Sequence, residues 1–371
     1  MLRSRIKSSD GNKETIARYT SNNPIFVCVT SYTETSKIPG ITIAGADSEL
    51  IAFTPAADAE FLCYGRCKSI TGVPATPDGI PTPALITRSA LMKSQIPNLI
   101  VDAGSKIKPH VPAISFGIRH GKNIMKERAM ARADAERGFE YGKILGIQLG
   151  MVSDMIVVGE TIPGGTTTAL AVLTAFGIDA KYKVSSSMPN NPHTLKNKVV
   201  SIALDRLKDV SRLCRDPIDC VSRIGDPMIP SVAGIASGAM SKGVKVILAG
   251  GTQMTAVLCL LKALKVSLEK ICIGTTSYIE DDKSSDIHYL TKSICSSVPI
   301  LSINLNLQSS DKEGLKKYNT GIAKEGVGAG GAAIAATLKS VKSHDSTSLL
   351  HSIEKEYENT IEKQKKHAKI S

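Results

Sequence analysis

Apolar residues along this chain gather in short unbroken runs, and most runs are followed by segments with helical spacing. IFVCVT (25–30), NLIVDAG (98–104), DMIVVG (154–159), VKVILAGG (244–251), ICIGTT (271–276) and PILSINL (299–305) each read as a strand. They are continuous rather than alternating, the pattern of strands buried on both faces of a parallel sheet. TALAVLTAFG (168–177) and QMTAVLCLLKALK (253–265) read as helices. This alternation predicts an α/β fold: a doubly wound, mostly parallel, Rossmann-like sheet with helices on both faces. A smaller helical part comes from the chain ends. Ligands in such sheets bind outside the carboxyl ends of the strands.

Local signals refine the outline. Asn191-Pro192 and Thr54-Pro55 each read as an N-cap followed by proline in the first helical turn. GVPATPDGIPTPAL (72–85) holds four prolines and reads as a rigid surface or active-site loop. Residues 280–286 are polar and read as a loop. Near the C-terminus Leu350, Ile353, Tyr357 and Ile361 fall on one helical face. The expected organisation is one unit over 1–371. Its α/β core spans about 20–340, and a C-terminal amphipathic helix at about 341–371 packs on the core or on a partner subunit. No internal repeat is visible.

Composition narrows the function. Hydrophobic residues make up 42% and charged residues 22% of the 371, the balance of a globular protein with a sizeable core. Trp is absent and aromatics reach only 4%, which argues against a stacking platform for single-stranded nucleic acid. The net charge of +12 fits nucleic acid, small anions or a solvated lysine-rich surface. The charges are scattered, with one cluster at 363–369, and no nucleic-acid-binding signature accompanies them. Eight cysteines lie mostly in apolar runs and read as reduced core thiols. Cys63 and Cys67 lack the second pair that a zinc site needs. No run reaches the roughly 18 apolar residues of a membrane span. The N-terminus lacks the apolar stretch of a secretory signal. A cytoplasmic protein with no membrane and no nucleic-acid partner is expected.

Three glycine segments carry the candidate chemistry. In VVGETIPGGTTTALAVL (157–173) a strand ends at Glu160, Gly164 and Gly165 turn the chain, and Thr166 and Thr167 open a helix. Amides at a helix start, with threonine hydroxyls, suit an anion. No lysine follows Gly165, so a triphosphate-hydrolysing loop is disfavoured. An acid at a strand end before a Gly-Thr loop suits ribose 5-phosphate. Phosphoribosyltransferases that use a diphosphate sugar look similar here, but they carry two adjacent acids where this chain has Gly159 and Glu160. VKVILAGGTQMTAVL (244–258) repeats the turn at Gly250 and Gly251 without an acid. AKEGVGAGGAAIAATL (323–338) matches G-x-G-x-x-G at Gly326, Gly328 and Gly331, yet no apolar strand precedes it, so a dinucleotide site is rejected. Glu325 at its head is either a first-turn acid favoured by the helix dipole or a general base.

Together these segments resemble the nicotinate-nucleotide–dimethylbenzimidazole phosphoribosyltransferase family, most closely its archaeal branch. ETIPGGTT (160–167) aligns without a gap with the bacterial Glu-Met-Gly-Ile-Gly-Asn-Thr-Thr, with Ile162 in place of a glycine and Gly165 in place of the asparagine. EGVGA (325–329) is similar to the catalytic Glu-Gly-Thr-Gly-Ala. KNKVVSIAL (196–204) resembles the lysine-containing helix, with Lys198 at the lysine. Residues 223–258, TPAADAEFLCYG (54–65) and TPDGIPTPALITR (76–88) extend the likeness over nearly the whole chain in the archaeal branch. The resemblance implies transfer of ribose 5-phosphate from nicotinate mononucleotide to a benzimidazole-type or purine base, giving an α-ribotide for the cobalamin lower ligand. It implies Glu325 as catalytic base. Glu160, Gly164, Gly165, Thr166, Thr167, Lys198, Gly250, Gly251, Gly326 and Gly328 would bind the nucleotide. It calls for no metal and no cofactor, and it implies a homodimer. The bacterial base pocket is not recognisable, which leaves Asp78, Thr82 and Thr87 as candidates. A non-catalytic nucleotide-binding protein of the same fold, or transfer from a different donor, are the alternatives.

Overall fold

The apolar runs become strands of one eight-stranded sheet in the computed structural model of the chain. The structure describes residues 5–44, 49–75, 80–207, 209–210, 214–339 and 348–363. In chain order the strands are β1 (Ile6–Ser8), β2 (Pro24–Thr30), β3 (Asn98–Asp102), β4 (Ile114–Ser115), β5 (Met155–Thr161), β6 (Lys245–Ala249), β7 (Ile271–Thr276) and β8 (Ile300–Ile303). Their spatial order is β1-β8-β7-β6-β5-β2-β3-β4. Every pairing is parallel except β1 with β8, where the N-terminal segment adds a short antiparallel edge strand. The chain moves outward from β2 through β3 to β4, then returns to place β5 on the other side of β2. The order therefore reverses between β2 and β5, and that is where a doubly wound sheet opens a crevice.

Side chains leave alternate faces of each strand and enter two cores. Ile156 and Val158 of β5 pack with Val27, Val29 and the helices Gly165–Ala175, Met228–Ser241 and Gln253–Ala263. Met155 and Val157 face the other way, with Phe26, Cys28 and the helices Thr54–Tyr64, Ala84–Lys93 and Ala329–Leu338. The C-terminal helix Leu349–Tyr357 lies on this second layer. It buries Leu349, Ile353 and Tyr357, and Arg88 Nε pairs with Glu356 Oε1 at 2.7 Å. Leu350 is only partly buried, and most of the basic cluster at 363–369 lies outside the described residues.

Two expected caps are corrected. The helix His193–Asp205 starts after Pro192 with no side-chain cap, because Asn191 instead donates its amide to Val184 O and accepts from Lys196. The helix at 54 begins with Thr54 already inside it.

The outer layer is held by a backbone-to-backbone fit. Arg132–Gly150 carries Gly138, Gly142 and Gly146, and its partner Met228–Ser241 carries Gly234 and Gly238. Glycine inside a helix costs roughly 1 kcal/mol relative to alanine. Here it allows contact: a Cβ at Gly142 would lie 2.4 Å from Ser231 O, and one at Gly146 2.1 Å from Ile235 O. From the other helix, a Cβ at Gly234 would lie 2.1 Å from Phe139 O. Such rigid backbone neighbours cannot swing aside. Gly146→Ala is therefore expected to destabilise the protein by about 1–3 kcal/mol or more, the usual range for overpacking. Equilibrium denaturation checks this, with Ile144→Ala on the exposed face of the same helix as a control whose midpoint stays near wild type.

Candidate active site

Beside the switch point a cavity of about 630 Å3 opens at the carboxyl end of β5, within the usual volume range of small-molecule sites. Its walls come from two sets of elements. One set holds Gly164, Gly165 and Thr166 at the start of helix Gly165–Ala175, with Ser185, Ser186, Ser187 and Gln253. The other holds Thr54, Ala57 and Asp58 from helix Thr54–Tyr64 and the segment from Ile80 to Pro83. Glu160, Glu325 and Gly326 also line the space. Glu160 and Glu325, 165 positions apart in the chain, thus meet at one site.

Glu160 is the penultimate residue of β5, which runs one position past the strand end expected at Glu160. Gln253 Nε2 donates to its Oε1 at 3.3 Å. Burial, then the nearby acids Asp226, Glu325 and Asp58, push its carboxyl up to about 8. Glu325 accepts from Thr276 N at 3.0 Å and from Gly330 N at 3.1 Å. It therefore sits on the amino end of helix Ala329–Leu338 while facing the cavity, so its helix-end position and its access to a ligand coexist. Burial outweighs these donors and raises it to about 7. Both values bring a proton exchange into the neutral range, a property of acid–base sites.

The turn that presents Glu325 is strained. Ala323 and Val327 both have φ of 52°, a left-handed conformation uncommon for any residue but glycine and least comfortable for a β-branched one. Hydrogen bonds fix it on both sides. Val327 N donates to Glu160 O at 3.0 Å, and Thr87 Oγ1 donates to Val327 O at 2.9 Å. Thr276 Oγ1 donates to Lys324 O at 2.6 Å. Strain that survives only because its surroundings over-determine it is characteristic of functional sites.

Not every residue singled out from sequence reaches the cavity. Lys198 is exposed on helix His193–Asp205. The buried lysine of that helix is Lys196, whose Nζ donates to Ser185 O at 2.6 Å and Asn191 Oδ1 at 3.0 Å. It thereby ties down the serine segment of the wall. Burial and the neighbouring Lys324 bring Lys196 down to about 7. Thr167 is buried behind the wall, whereas Thr166 is on it. Gly250 and Gly251 lie off the wall, turning the chain from β6 into the helix that carries Gln253. Gly328 packs against β5, and a Cβ there would lie 2.8 Å from Gly159 Cα. Thr82 lines the cavity and donates to Asp58 Oδ1 at 2.7 Å. Thr87 supports the strained turn, and Asp78 lies outside the described residues.

Two acids escaped the sequence reading. Asp58 is buried on the wall, and burial raises it to about 6 despite the hydroxyls of Thr82 and Thr161. Asp226 lies just behind, accepting from Met228 N and Ile229 N at a helix start. Its Asp-Pro step before an apolar run was a readable capping signal. The described cysteines are all free, and among the described residues no group of three or more His, Cys, Asp or Glu is disposed to hold a metal ion. No described helix is long and apolar enough to cross a membrane.

Comparison with known proteins agrees with this architecture. A phosphoribosyltransferase family model matches residues 91–307. A UPF0284 protein of Sulfurisphaera tokodaii is 47% identical over 86% of this chain and 90% of its own length. One from Archaeoglobus fulgidus is 44% identical over 91% and 94%. Among solved structures, nicotinate-nucleotide-dimethylbenzimidazole phosphoribosyltransferase from Thermus thermophilus superposes with a TM-score of 0.62, covering 93% of this chain and 90% of its own, at 15% identity. A second structure, CobT from the same organism, gives a TM-score of 0.61 at 13% identity. With the relatives matched nearly end to end and the fold shared, the chain belongs to the nicotinate-nucleotide–dimethylbenzimidazole phosphoribosyltransferase family, in its archaeal branch.

Proposed function

We propose that this protein transfers the ribose 5-phosphate of nicotinate mononucleotide to an aromatic base of the benzimidazole or purine type. The product is an α-ribotide of the kind used for the cobalamin lower ligand. The observation that carries this reading is the convergence of Glu160 and Glu325 on one cavity beside a glycine–threonine helix start.

In this reaction a ring nitrogen of the acceptor forms a bond to ribose C1′. The bond from C1′ to the pyridinium nitrogen breaks, its electron pair stays with that nitrogen, and nicotinate leaves without needing a proton. The acceptor N–H proton must go somewhere, and Glu325 takes it. A base whose affinity for protons lies near neutrality is suited to that step. The phosphate rests on the amides and hydroxyl at Gly164, Gly165 and Thr166, where the helix dipole favours an anion. Glu160 faces the ribose and the positive charge that the donor carries into the site. A cation there offsets the mutual repulsion of buried acids.

The test is incubation with nicotinate mononucleotide and a panel of bases in the presence of a chelator, following nicotinate release and ribotide formation. Absence of release with every base would refute the reading. Glu325→Gln should lower turnover by roughly two orders of magnitude or more, the usual contribution of a general base. In wild type, kcat/KM should rise with pH until Glu325 loses its proton near about 7, and the variant should lack that limb. Glu160 adds a stability signature. Its folded carboxyl titrates at about 8, above the ordinary 4.5, so the stabilisation from binding that proton is present below 4.5 and lost as pH rises through 8. Thermal melts of Glu160→Gln should match wild type near pH 4 and exceed it by several degrees at pH 8–9.

A further inference from the structure

Asp58 is the wall acid that the reaction above leaves unused. It lies within TPAADAEFLCY, the helix Thr54–Tyr64, and is 4% exposed. Thr82 Oγ1 donates to its Oδ1 at 2.7 Å and Thr161 Oγ1 donates to its Oδ2 at 2.8 Å. A carboxylate offers about four acceptor positions, so two hydroxyls leave part of that capacity for a ligand in the cavity that Asp58 lines. The same wall carries the apolar Phe53, Ala57, Ile80 and Pro83 beside the hydroxyls of Thr54, Thr82 and Thr161. This is the make-up of a slot for a flat ring. The slot also borders the proposed base, since a Cβ at Gly326 would lie 3.3 Å from Pro83 Cγ. The rest of the lining, with the glycine turn, serines and Gln253, is left for the nucleotide's phosphate and ribose.

We infer that this slot receives the acceptor base and that Asp58 reads its edge, selecting a bicyclic base with a hydrogen-bond donor on its six-membered ring, an aminopurine, over one carrying methyl groups there. The inference rests on the phosphoribosyl transfer proposed above. An amino group donates to the carboxyl and satisfies it. A methyl group in the same place leaves a buried carboxyl facing hydrocarbon, and burying an unpaired polar group is costly. Sites built to hydrogen-bond a substrate group reject analogues lacking it far more strongly than apolar pockets reject an extra methyl.

The test compares kcat/KM for adenine, unsubstituted purine and dimethylbenzimidazole, with nicotinate mononucleotide as common donor. Wild type should favour adenine over both others by about a hundredfold or more. Asp58→Asn should shrink that preference at least tenfold while the KM for nicotinate mononucleotide stays within about twofold. Thr82→Val, a milder change that removes one of the two hydroxyls orienting the carboxyl, should move the ratio in the same direction and serves if Asp58→Asn fails to fold. A wild-type preference for dimethylbenzimidazole, an unmoved ratio in both variants, or a rise in nucleotide KM in place of the altered ratio would each overturn the inference. If no base releases nicotinate, it is the transfer reaction that has failed. Calorimetric titration with adenine and with dimethylbenzimidazole then still decides the role of Asp58: adenine-selective binding that is lost in the variants supports it, and equal or absent binding of both bases overturns it.

Discussion

The site depends on a contact in which almost no side chain intervenes. Helix Ala329–Leu338 and the turn before it lie directly on the ends of β5, β6 and β7. A Cβ at Gly328 would come 2.8 Å from Gly159 Cα, one at Gly331 2.3 Å from Ala249 Cβ, and one at Gly330 2.1 Å from the Thr275 carbonyl carbon. This proximity lets Gly330 N and Thr276 N both reach the Glu325 carboxylate. It also lets Val327 N donate to Glu160 O. The left-handed residues at 323 and 327 cost of order 1–3 kcal/mol each. Seated this closely, the turn is held by strand ends on one side and by Thr87 on the other, so the strain cannot relax without giving up those bonds.

The electrostatics of the cavity run against those of the whole chain. The protein is basic, with a net charge of +12, yet its cavity wall gathers Asp58, Glu160 and Glu325, with Asp226 behind. The buried lysines nearby are otherwise engaged. Lys324 pairs with Asp282 at 2.7 Å, and Lys196 is committed to Ser185 O and Asn191 Oδ1. The acids are therefore left without a cation of their own: burial raises each of them, and at Glu160 repulsion from the others adds to it. In the proposed reaction the pyridinium of the donor supplies the missing positive charge. The same charge departs when the glycosidic bond breaks, just as the acceptor gives up its proton, so the cluster changes its cation for a proton within one turnover.

Much of this was legible in the sequence, for reasons that differ by residue. The inner strands of the parallel sheet stood out because burial on both faces makes their runs continuous. Glu160 and Glu325 stood out because each sits beside a glycine turn. The lysine was misplaced, although the helix carried the correction. Val199, Val200 and Ala203 are its buried apolar positions, and a residue at 196 falls on their stripe at i, i+3, i+4 and i+7, whereas 198 falls off it. Asp58 had no such marker. Its helix is buried almost all round, so no polar face exists from which an inward-pointing acid would deviate. Gly328 looked like a ligand-binding glycine and packs against Gly159 off the cavity wall, and nothing local in the sequence separates the two uses. The β1 edge strand and the Gly138–Gly142–Gly146 seam were likewise hidden, because each depends on a partner far along the chain.

Position 159 brings these points together. Phosphoribosyltransferases that use a diphosphate sugar place two adjacent acids where this chain has Gly159 and Glu160. A side chain at 159 would meet Gly328 Cα at 2.9 Å and Phe26 Cζ at 2.8 Å. It would therefore displace the helix whose amino end holds Glu325. Within this fold the strand can offer one acid, or it can offer two and lose the close seating of the other loop. The chain takes its second carboxylate from 165 positions away, and in doing so gains an acid on a different element, with donors of its own and a titration near neutrality. The glycine at 159 is thus the condition under which Glu160 and Glu325 share a site.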